Sequence, residues 1–308
     1  MKNKVMVFGS FVVDLMGRTP HLPVPGETVK GSMFKMGPGG KGFNQGVAAH
    51  KAGADVTMVT KLGRDAFAEV ALQAMQELSM NSERVFYTKD TETGAALILV
   101  DETTSQNEIV VVLGACNTIT DEEVESLTDL IESSKYLLTQ LETNVSSVEK
   151  IIDIAFQKGV KVILNTAPVQ PISDGMLSKI DLITPNEVEA EILTGICIDS
   201  EENASKAADW FFERGVKNVV ITLGGRGVYI ATSKKRGILP AYQVKAIDTT
   251  GAGDAFNGGL TAALSEGKDL WEAAKYANAL AAISVQKIGT TPAMPDRIEI
   301  EEFLKKHE

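Results

Sequence analysis

Residues 248–259 read DTTGAGDAFNGG, and this stretch carries the strongest chemical signal in the chain. The apolar segment Val244–Ile247 predicts a strand that runs into it, and a helix is expected to begin near Gly253. Glycines let backbone N–H groups approach a ligand, and a first helical turn adds unpaired N–H groups and the positive end of its dipole. We therefore expect Gly251, Ala252 and Gly253 to form an anion hole.

Asp254 lies at the mouth of this predicted anion hole. A carboxylate there repels phosphate, which favours a chemical role such as accepting a proton from an attacking hydroxyl. The alternative is an acidic residue that only complements the helix dipole. The stretch alone does not decide between the two.

Three further blocks suggest ligand contacts. GGKGFNQ at 39–45 combines close backbone approach with a cation and an amide, which suits sugar hydroxyls, although a solvated tight loop is the alternative. NEVE at 186–189 follows a predicted strand and could be only a helix cap with a first-turn acid. TLGGRG at 222–227 could hold a nucleotide against backbone, or form a hairpin turn before Val228, or both.

Two common phosphate-binding motifs do not account for the chain. Residues 37–42 match G-x-G-x-x-G, but they do not follow the first buried strand, Lys4–Gly9, as a dinucleotide site requires. No G-x-x-x-x-G-K-[ST] motif occurs in the sequence. The Gly251–Gly253 turn is therefore the favoured phosphate site.

Apolar runs alternate with helical patterns along most of the chain, which predicts parallel βαβ units and a sheet covered on both faces. The predicted strands are Lys4–Gly9, Val56–Leu62, Tyr136–Leu141, Val160–Asn165, Asp181–Thr184 and Asn218–Thr222. The predicted helices are 41–52, 65–79, 121–134, 144–158, 187–194, 201–214, 253–266 and 269–287.

Two segments interrupt the alternation. Residues 12–36 are proline-rich without helical period, and 93–117 contain the β-rich runs Ala95–Val100 and Ile109–Leu113. Strands without an intervening helix form hairpins, so these segments predict a small antiparallel sheet, a discontinuous β lid. Residues 1–11, 37–92 and 118–308 then form the main α/β domain. A purely structural excursion is the alternative to a lid.

Composition describes a soluble globular protein, with 44% apolar and 23% charged residues. The formal net charge of -11 argues against nucleic acid or an anionic membrane as partner. Cys116 and Cys197 are too few for a disulfide framework and are expected to be buried, which indicates a reducing compartment. No run approaches the about 20 apolar residues of a membrane span, so a cytoplasmic location is expected.

The four blocks, in their order along the chain, resemble the motifs of the ribokinase-like (PfkB) carbohydrate kinases and span almost the whole chain. PGET at 25–28, QLE at 140–142 and NTAP at 165–168 resemble the ribokinases of that family. The resemblance implies the ribokinase-like fold, a lid over the sugar that often forms a dimer surface, and ATP and Mg²⁺ as nucleotide and metal.

The resemblance also implies roles for individual residues. Asp254 is the base, beside the anion hole of Gly251, Ala252 and Gly253. The sugar hydroxyls would be bound by Asp14, Gly40, Lys41, Asn44, Glu142 and Asp254. The nucleotide would contact Asn186, Glu189, Thr222, Gly224, Gly225, Gly227, Gly253 and Asn278, although Asn278 could equally be a surface amide. A monovalent cation, K⁺, would be held near Asp248, Thr250, Ser284, Lys287 and Gly289.

Two positions depart from the family pattern. Ala293 stands where a serine is often found, which removes one possible oxygen ligand of the cation. Val12 stands where many ribokinases have an asparagine, so an amide that could pair a sugar hydroxyl is replaced by an apolar group. An unpaired buried hydroxyl costs about 1–3 kcal/mol, so the best substrate could lack a hydroxyl there, as 2-deoxyribose does.

The sequence therefore predicts an ATP-dependent carbohydrate kinase that phosphorylates the primary 5-hydroxyl of a pentose, with D-ribose favoured, and that forms a homodimer through the lid. A kinase of 2-deoxyribose, or of another sugar or a nucleoside, is the first alternative. A non-catalytic sugar or nucleotide sensor on the same fold is the second.

Overall fold

The computed structural model describes residues 3–104 and 106–307. Its strands are β1 Lys4–Phe8, β2 Val12–Thr19, β3 Met33–Gly39, β4 Asp55–Leu62, β5 Val85–Tyr87, β6 Thr93–Asp101, β7 Asn107–Gly114, β8 Tyr136–Thr139, β9 Lys161–Leu164, β10 Leu182–Ile183, β11 Val219–Thr222, β12 Val228–Ala231 and β13 Arg236–Leu239. Its α-helices are α1 Lys41–Lys51, α2 Ala66–Glu77, α3 Asp121–Glu125, α4 Thr128–Glu132, α5 Val145–Gln157, α6 Asp174–Leu177, α7 Glu187–Thr194, α8 Glu201–Glu213, α9 Ala252–Ser265, α10 Leu270–Ser284 and α11 Arg297–Lys306.

A nine-stranded sheet runs through the centre of the molecule in the order β13-β12-β11-β10-β9-β8-β1-β4-β5. Strands β11 to β5 in that order pair in parallel, while β12 and β13 add an antiparallel edge. The central strands are buried on both faces because each is an apolar run. The predicted α/β class and the parallel sheet are confirmed.

Helices cover both faces of this sheet and enclose two hydrophobic cores. One core packs α1, α2, α9, α10 and α11 against the sheet. The other contains residues of α3 to α8. Between the two layers, the carboxyl ends of the parallel strands meet at one edge, where open α/β sheets bind ligands.

A second, four-stranded sheet has the order β3-β2-β6-β7. Its two hairpins, β2–β3 and β6–β7, are antiparallel as expected, but they join through a parallel β2–β6 pairing. The main chain enters both β2 and β6 from the same end of the main sheet, which makes these strands run in the same direction. Strand β3 continues through Gly39, beyond the expected lid boundary at 36.

Several local predictions differ from the structure. The helix expected over 121–134 is two short helices, because Ser126 and Thr128 hydroxyls bond to the carbonyls of Glu123 and Glu125 at the break. Val244–Ile247 is not a strand; Ile247 N–H donates instead to the Val285 carbonyl. Helices α6 and α11 were not predicted.

Two findings concern the surface. Cys116 is buried as expected, but Cys197 is exposed because it lies in the irregular segment after α7, so that prediction was wrong. Within 3–104 and 106–307, no helix is long and apolar enough to cross a membrane.

Candidate active site

Helix α9 begins where the sequence analysis expected an anion hole. Gly251 is its N-cap, with φ 75°, a left-handed conformation that glycine adopts without strain. No side chain caps the helix; the Ala252 N–H donates to the Thr249 carbonyl at 3.2 Å, while the Gly251 and Gly253 N–H groups at this helix start can face a ligand. Asp254 follows in the first turn and is buried.

Both carboxylate oxygens of Asp254 accept hydrogen bonds from helix α1. The Asn44 amide donates to Oδ2 at 3.2 Å, and the Gln45 amide donates to Oδ1 at 3.0 Å. Burial raises the pKa of the Asp254 carboxyl, against the opposing effects of the Lys41 ammonium and of these two hydrogen bonds. A carboxylate that is buried, oriented and raised in pKa has the properties of a general base.

Helix α1 starts at a tight turn that places Lys41 among carboxylates. Gly40, at φ 92°, precedes the helix, and the Lys41 backbone N–H donates to Glu142 Oε2 at 2.8 Å. Burial acts to lower the pKa of the Lys41 ammonium, but Asp254, Glu142 and Glu189 together raise it. Lys41 therefore remains charged inside the site.

Asp14 extends the acidic cluster from strand β2. Burial raises its pKa from 3.8 to about 6, and the charges of Glu142 and Asp254 add to the effect. A Cβ at Gly39 would lie 2.3 Å from the Asp14 carboxylate, so a larger residue there would require the Asp14 side chain to shift. Asp14, Lys41, Asn44, Glu142 and Asp254 are thus brought into one polar site.

Asn186 and Glu189 form the capping box of α7. The Asn186 side chain accepts from Glu189 N–H, and Glu189 Oε2 accepts from Asn186 N–H. The Thr166 hydroxyl also donates to Glu189 Oε2 at 2.9 Å. The predicted helix cap is therefore present. Glu189 also raises the pKa of Lys41, so its charge acts on the polar site as well.

Residues 222–227, which were predicted to contact the nucleotide, lie next to this capping box. Asn186 forms an isolated β-bridge with Thr222, and a 3₁₀ turn at Gly224–Arg226 leads into β12. Gly224 and Gly225 are exposed, whereas Gly227, at φ 103°, packs under Leu239 and tolerates no Cβ. The predicted turn before Val228 is therefore present, and the backbone at Gly224 and Gly225 is exposed as well.

Asn278 lies in the interior of α10. It is buried, and its amide donates to the Pro240 carbonyl at 3.3 Å. The surface-amide alternative is therefore excluded, and Asn278 fixes the segment that follows β13.

Hydrogen bonds connect Asp248 with Thr250 and Gly289 among the predicted cation positions. Asp248 accepts from Thr250 N–H and from Gly289 N–H, each at 2.9 Å. Partial burial acts to raise the pKa of Asp248, but these hydrogen bonds lower it below its usual value. Ser284 donates back to its own helix, and the Lys287 ammonium pairs with Glu299, so their side chains point to other partners.

Several buried polar residues around Asp254 were not predicted to belong to the site. Gln45 lies in the 39–45 block, Gln140 in the QLE triplet and Asn165 in the four-residue NTAP stretch, but none of them had a predicted function. Thr291, whose hydroxyl donates to Asn44 Oδ1 at 3.1 Å, was not singled out at all. Gln140 and Asn165 lie at the ends of predicted strands and Gln45 lies next to Asn44, which were the available signals; Thr291 had none of these.

Comparison with known proteins agrees with the family resemblance of the four sequence blocks. The chain matches the pfkB family carbohydrate kinases over residues 2–297. A ribokinase from Haemophilus influenzae is 42% identical over 305 residues, covering 99% of each chain. A deoxyribokinase from Salmonella typhi is 34% identical over 305 residues, again with 99% of each chain covered.

Among solved structures, Arabidopsis thaliana ribokinase complexed with ribose and ATP has a TM-score of 0.91 and 30% sequence identity, with 99% of both chains covered. The resemblance read from the four sequence blocks is confirmed over the whole chain. The chain therefore belongs to the pfkB family of carbohydrate kinases.

Proposed function

We propose that this carbohydrate kinase transfers the γ-phosphate of ATP to the primary 5-hydroxyl of a pentose, with D-ribose as the favoured substrate. The observation that carries the proposal is the buried Asp254 carboxylate at the start of α9, held on both oxygens and adjoining Lys41, Asp14 and Glu142. Relatives named as ribokinases, and one structure complexed with ribose and ATP, support this substrate pair.

In the proposed mechanism, Asp254 takes the proton of the sugar 5-hydroxyl as that oxygen attacks the γ-phosphorus. The bond from the γ-phosphorus to the leaving ADP oxygen breaks, and the sugar phosphate forms. The Gly251, Ala252 and Gly253 N–H groups stabilise the charge on the transferring phosphoryl group. Lys41, Asn44, Glu142 and Asp14 bind the remaining hydroxyls and hold the sugar in line.

The nucleotide is proposed to lie along the loop that contains Thr222, Gly224, Gly225 and Gly227, against buried Asn278. Its Mg²⁺ would be held near Asn186 and Glu189. Both Glu189 oxygens already accept hydrogen bonds, so this carboxylate suits contact through water better than direct ligation. When bound, Mg²⁺ supplies charge neutralisation on the phosphates.

A monovalent cation, K⁺, is proposed at the Asp248–Thr250 turn. The Asp248 carboxylate has a lowered pKa, and the backbone around Thr250 and Gly289 is already fixed by its hydrogen bonds. The Ser284 and Lys287 side chains are engaged elsewhere, and Ala293 offers no side-chain oxygen. Backbone carbonyls would therefore supply the rest of the ligands, as oxygen-binding cations accept.

A second candidate substrate is 2-deoxy-D-ribose. Val12 alternates with Val13 on β2 and shares the sheet face of Asp14, and it is buried outside both hydrophobic cores. An apolar group beside the sugar-binding carboxylate favours a sugar without a hydroxyl at that point. The deoxyribokinase relative supports keeping this candidate.

The four-stranded sheet is proposed to act as the lid, with residues 12–36 and 93–117 moving over the sugar. We also propose that its face away from Asp14 pairs with a second copy of the chain. A cytoplasmic location is proposed on the basis of two free cysteines, one of them exposed. Cell fractionation would check that location.

The deciding experiment measures sugar-dependent ADP formation with ATP, Mg²⁺ and K⁺, comparing D-ribose and 2-deoxy-D-ribose. Higher kcat/KM for ribose supports the first candidate, and preference for deoxyribose makes Val12 a specificity residue. Asp254→Asn should lower kcat by about a hundredfold to ten-thousandfold while ATP binding, measured by calorimetry, is retained. Turnover near the wild-type rate in that variant would show that Asp254 is not the base.

A further inference from the structure

Gln45 lies at the centre of a buried chain of amides on the inner side of Asp254. Its Nε2 donates to Asp254 Oδ1 and to Asn165 Oδ1, both at 3.0 Å. Its Oε1 accepts from Gln140 Nε2 at 2.7 Å. Asn165 continues the chain by donating to the Thr184 carbonyl at 2.8 Å. Gln45 is fully buried, and these are the partners of its side chain among residues 3–104 and 106–307.

The direction of this chain follows from the carboxylate. An ionised Asp254 only accepts hydrogen bonds, so the Gln45 group that faces it must be the NH₂. The carbonyl of Gln45 then faces Gln140, which must donate. Asn44 is oriented in the same way, since its NH₂ faces Asp254 Oδ2 while its carbonyl accepts from Thr291.

The orientation of the Gln140 side chain, with its NH₂ directed at Gln45, is energetically unfavourable for Gln140 itself. With its NH₂ directed at Gln45, its buried Oε1 finds no donor among the described residues. That oxygen lies over Gly9, where a Cβ would approach to 2.1 Å. An unsatisfied buried acceptor is unfavourable, and its presence in a native core calls for an explanation. The orientation of Gln45 supplies one.

We propose that Gln45 is a positioning residue that directs Asp254 Oδ1 for proton transfer, and that Gln140 fixes the Gln45 amide in the required direction. Neither side chain need touch the sugar. The inference rests on the proposed function only in assigning the proton transfer; the control of the Asp254 carboxylate by Gln45 stands on the geometry.

The pH dependence of Asp254 is set by groups from several elements. Lys41 on α1 faces it as a cation, and Glu142 after β8 and Asp14 on β2 face it as carboxyls. The Gln45 hydrogen bond lowers the pKa of Asp254. Removing this bond leaves the other groups in place and raises the pKa further, so the base is protonated at a higher pH.

The test uses Gln45→Met, Gln140→Met and the double variant, since methionine keeps an unbranched side chain of similar size without a donor. Gln45→Met should lower kcat by about tenfold to a hundredfold, with the sugar KM little changed. The acid limb of its kcat–pH profile should move up by about one pH unit. Gln140→Met should also lower kcat and move the acid limb to higher pH, but both changes should be smaller than in Gln45→Met. The double variant should match Gln45→Met alone, because Gln140 acts through Gln45.

A titration of the Asp254 side-chain carboxyl by ¹³C NMR gives a readout independent of turnover, with Asp254→Asn identifying the signal. Its midpoint should rise in Gln45→Met. Gln76→Met, at an exposed position of α2, is the control and should change neither profile nor midpoint. An unchanged midpoint in folded Gln45→Met, or additive effects in the double variant, would overturn the proposal. Absence of sugar-dependent ADP release in the wild type would reject the proposed function instead, and the titration would still decide the role of Gln45.

Discussion

The carboxyls of Asp14, Glu142 and Asp254 surround a single lysine, Lys41, in a buried site. Burial disfavours the ionised forms of Asp14 and Asp254, and the neighbouring carboxylates add to the effect. The Lys41 ammonium offsets only part of it. The site therefore holds carboxyl groups whose ionised forms cost stability, a common property of functional sites.

Asp14→Asn should stabilise the protein above pH 6 by up to about 3 kcal/mol, since one pKa unit corresponds to about 1.4 kcal/mol. The pKa of Asp14 is 3.8 before folding and about 6 in the folded state, so the folded protein binds the proton more tightly. The cost of ionisation is absent below about pH 4 and complete above about pH 6. Urea unfolding of the wild type and of the variant, below about pH 4 and above about pH 6, measures the difference in their free energies of unfolding.

The same variant should lose sugar affinity, because Asp14 is proposed to bind a hydroxyl. Gains of equal size at both pH values would contradict the electrostatic origin and indicate a packing effect instead.

At the scale of elements, the site depends on how closely helices α1 and α9 approach. Gly258 on α9 faces α1, and a Cβ there would lie 2.5 Å from Ala48 Cβ and 2.5 Å from the Gln45 carbonyl oxygen. This approach brings Asn44 and Gln45 within hydrogen-bonding distance of Asp254, one turn earlier on α9. The helix contact therefore sets the geometry around the proposed base.

Gly258→Ala should separate the two helices and destabilise the fold by about 1–3 kcal/mol, the usual cost of overpacking a core. It should also lower kcat, because the amides of α1 move away from Asp254. Thermal unfolding and steady-state kinetics measure the two effects.

Gly175→Ala on α6 is the matched control, since a Cβ there meets only Ser173 Oγ at 3.8 Å. That variant should be neutral or slightly stabilising. If Gly258→Ala and Gly175→Ala had equal effects on thermal unfolding and on kcat, the α1–α9 contact would not be tightly packed.

At the scale of the whole molecule, one face of the four-stranded sheet is apolar and exposed. Pairing registers place its residues in line on the face opposite Asp14. The exposed side chains of this outer lid face are Phe34, Met36, Leu97, Val110 and Val112, with Phe34 at 71% exposure. Contiguous apolar surface of this kind marks interaction sites, and a self-complementary sheet face suits a two-fold dimer.

Val110→Lys with Val112→Lys should convert the proposed dimer to monomers at micromolar concentration, because two charges cannot be buried unpaired in an apolar interface. Sedimentation velocity measures the change. Val188→Lys, at an exposed apolar position on α7, is the control and should leave the assembly intact. A wild type that sediments as a monomer would reject the proposed dimer through the lid.

The candidate site was predictable from sequence as far as its motifs extended. Lys41, Asn44 and Asp254 each lie in a glycine-rich block whose backbone demands are local, and the structure brings them together. Gln45 lies in the same block as Lys41 and Asn44, and Gln140 lies outside these blocks, but the role of neither was predictable, because a buried glutamine has no distinctive periodicity. Asn278 could not be placed either, since helical period does not separate a buried amide from a surface one in an apolar helix.

The sequence by itself determined the α/β class, most strand and helix positions, the glycine turns and the family, because these depend on local periodicity and on backbone conformations that few residues allow. Only the tertiary structure decided which groups contact Asp254, whose amide partners lie 210 and 209 residues away. It also decided the parallel joining of the lid hairpins and which of their faces is exposed. Such contacts depend on strand order and helix packing across the whole chain, and no local pattern records them.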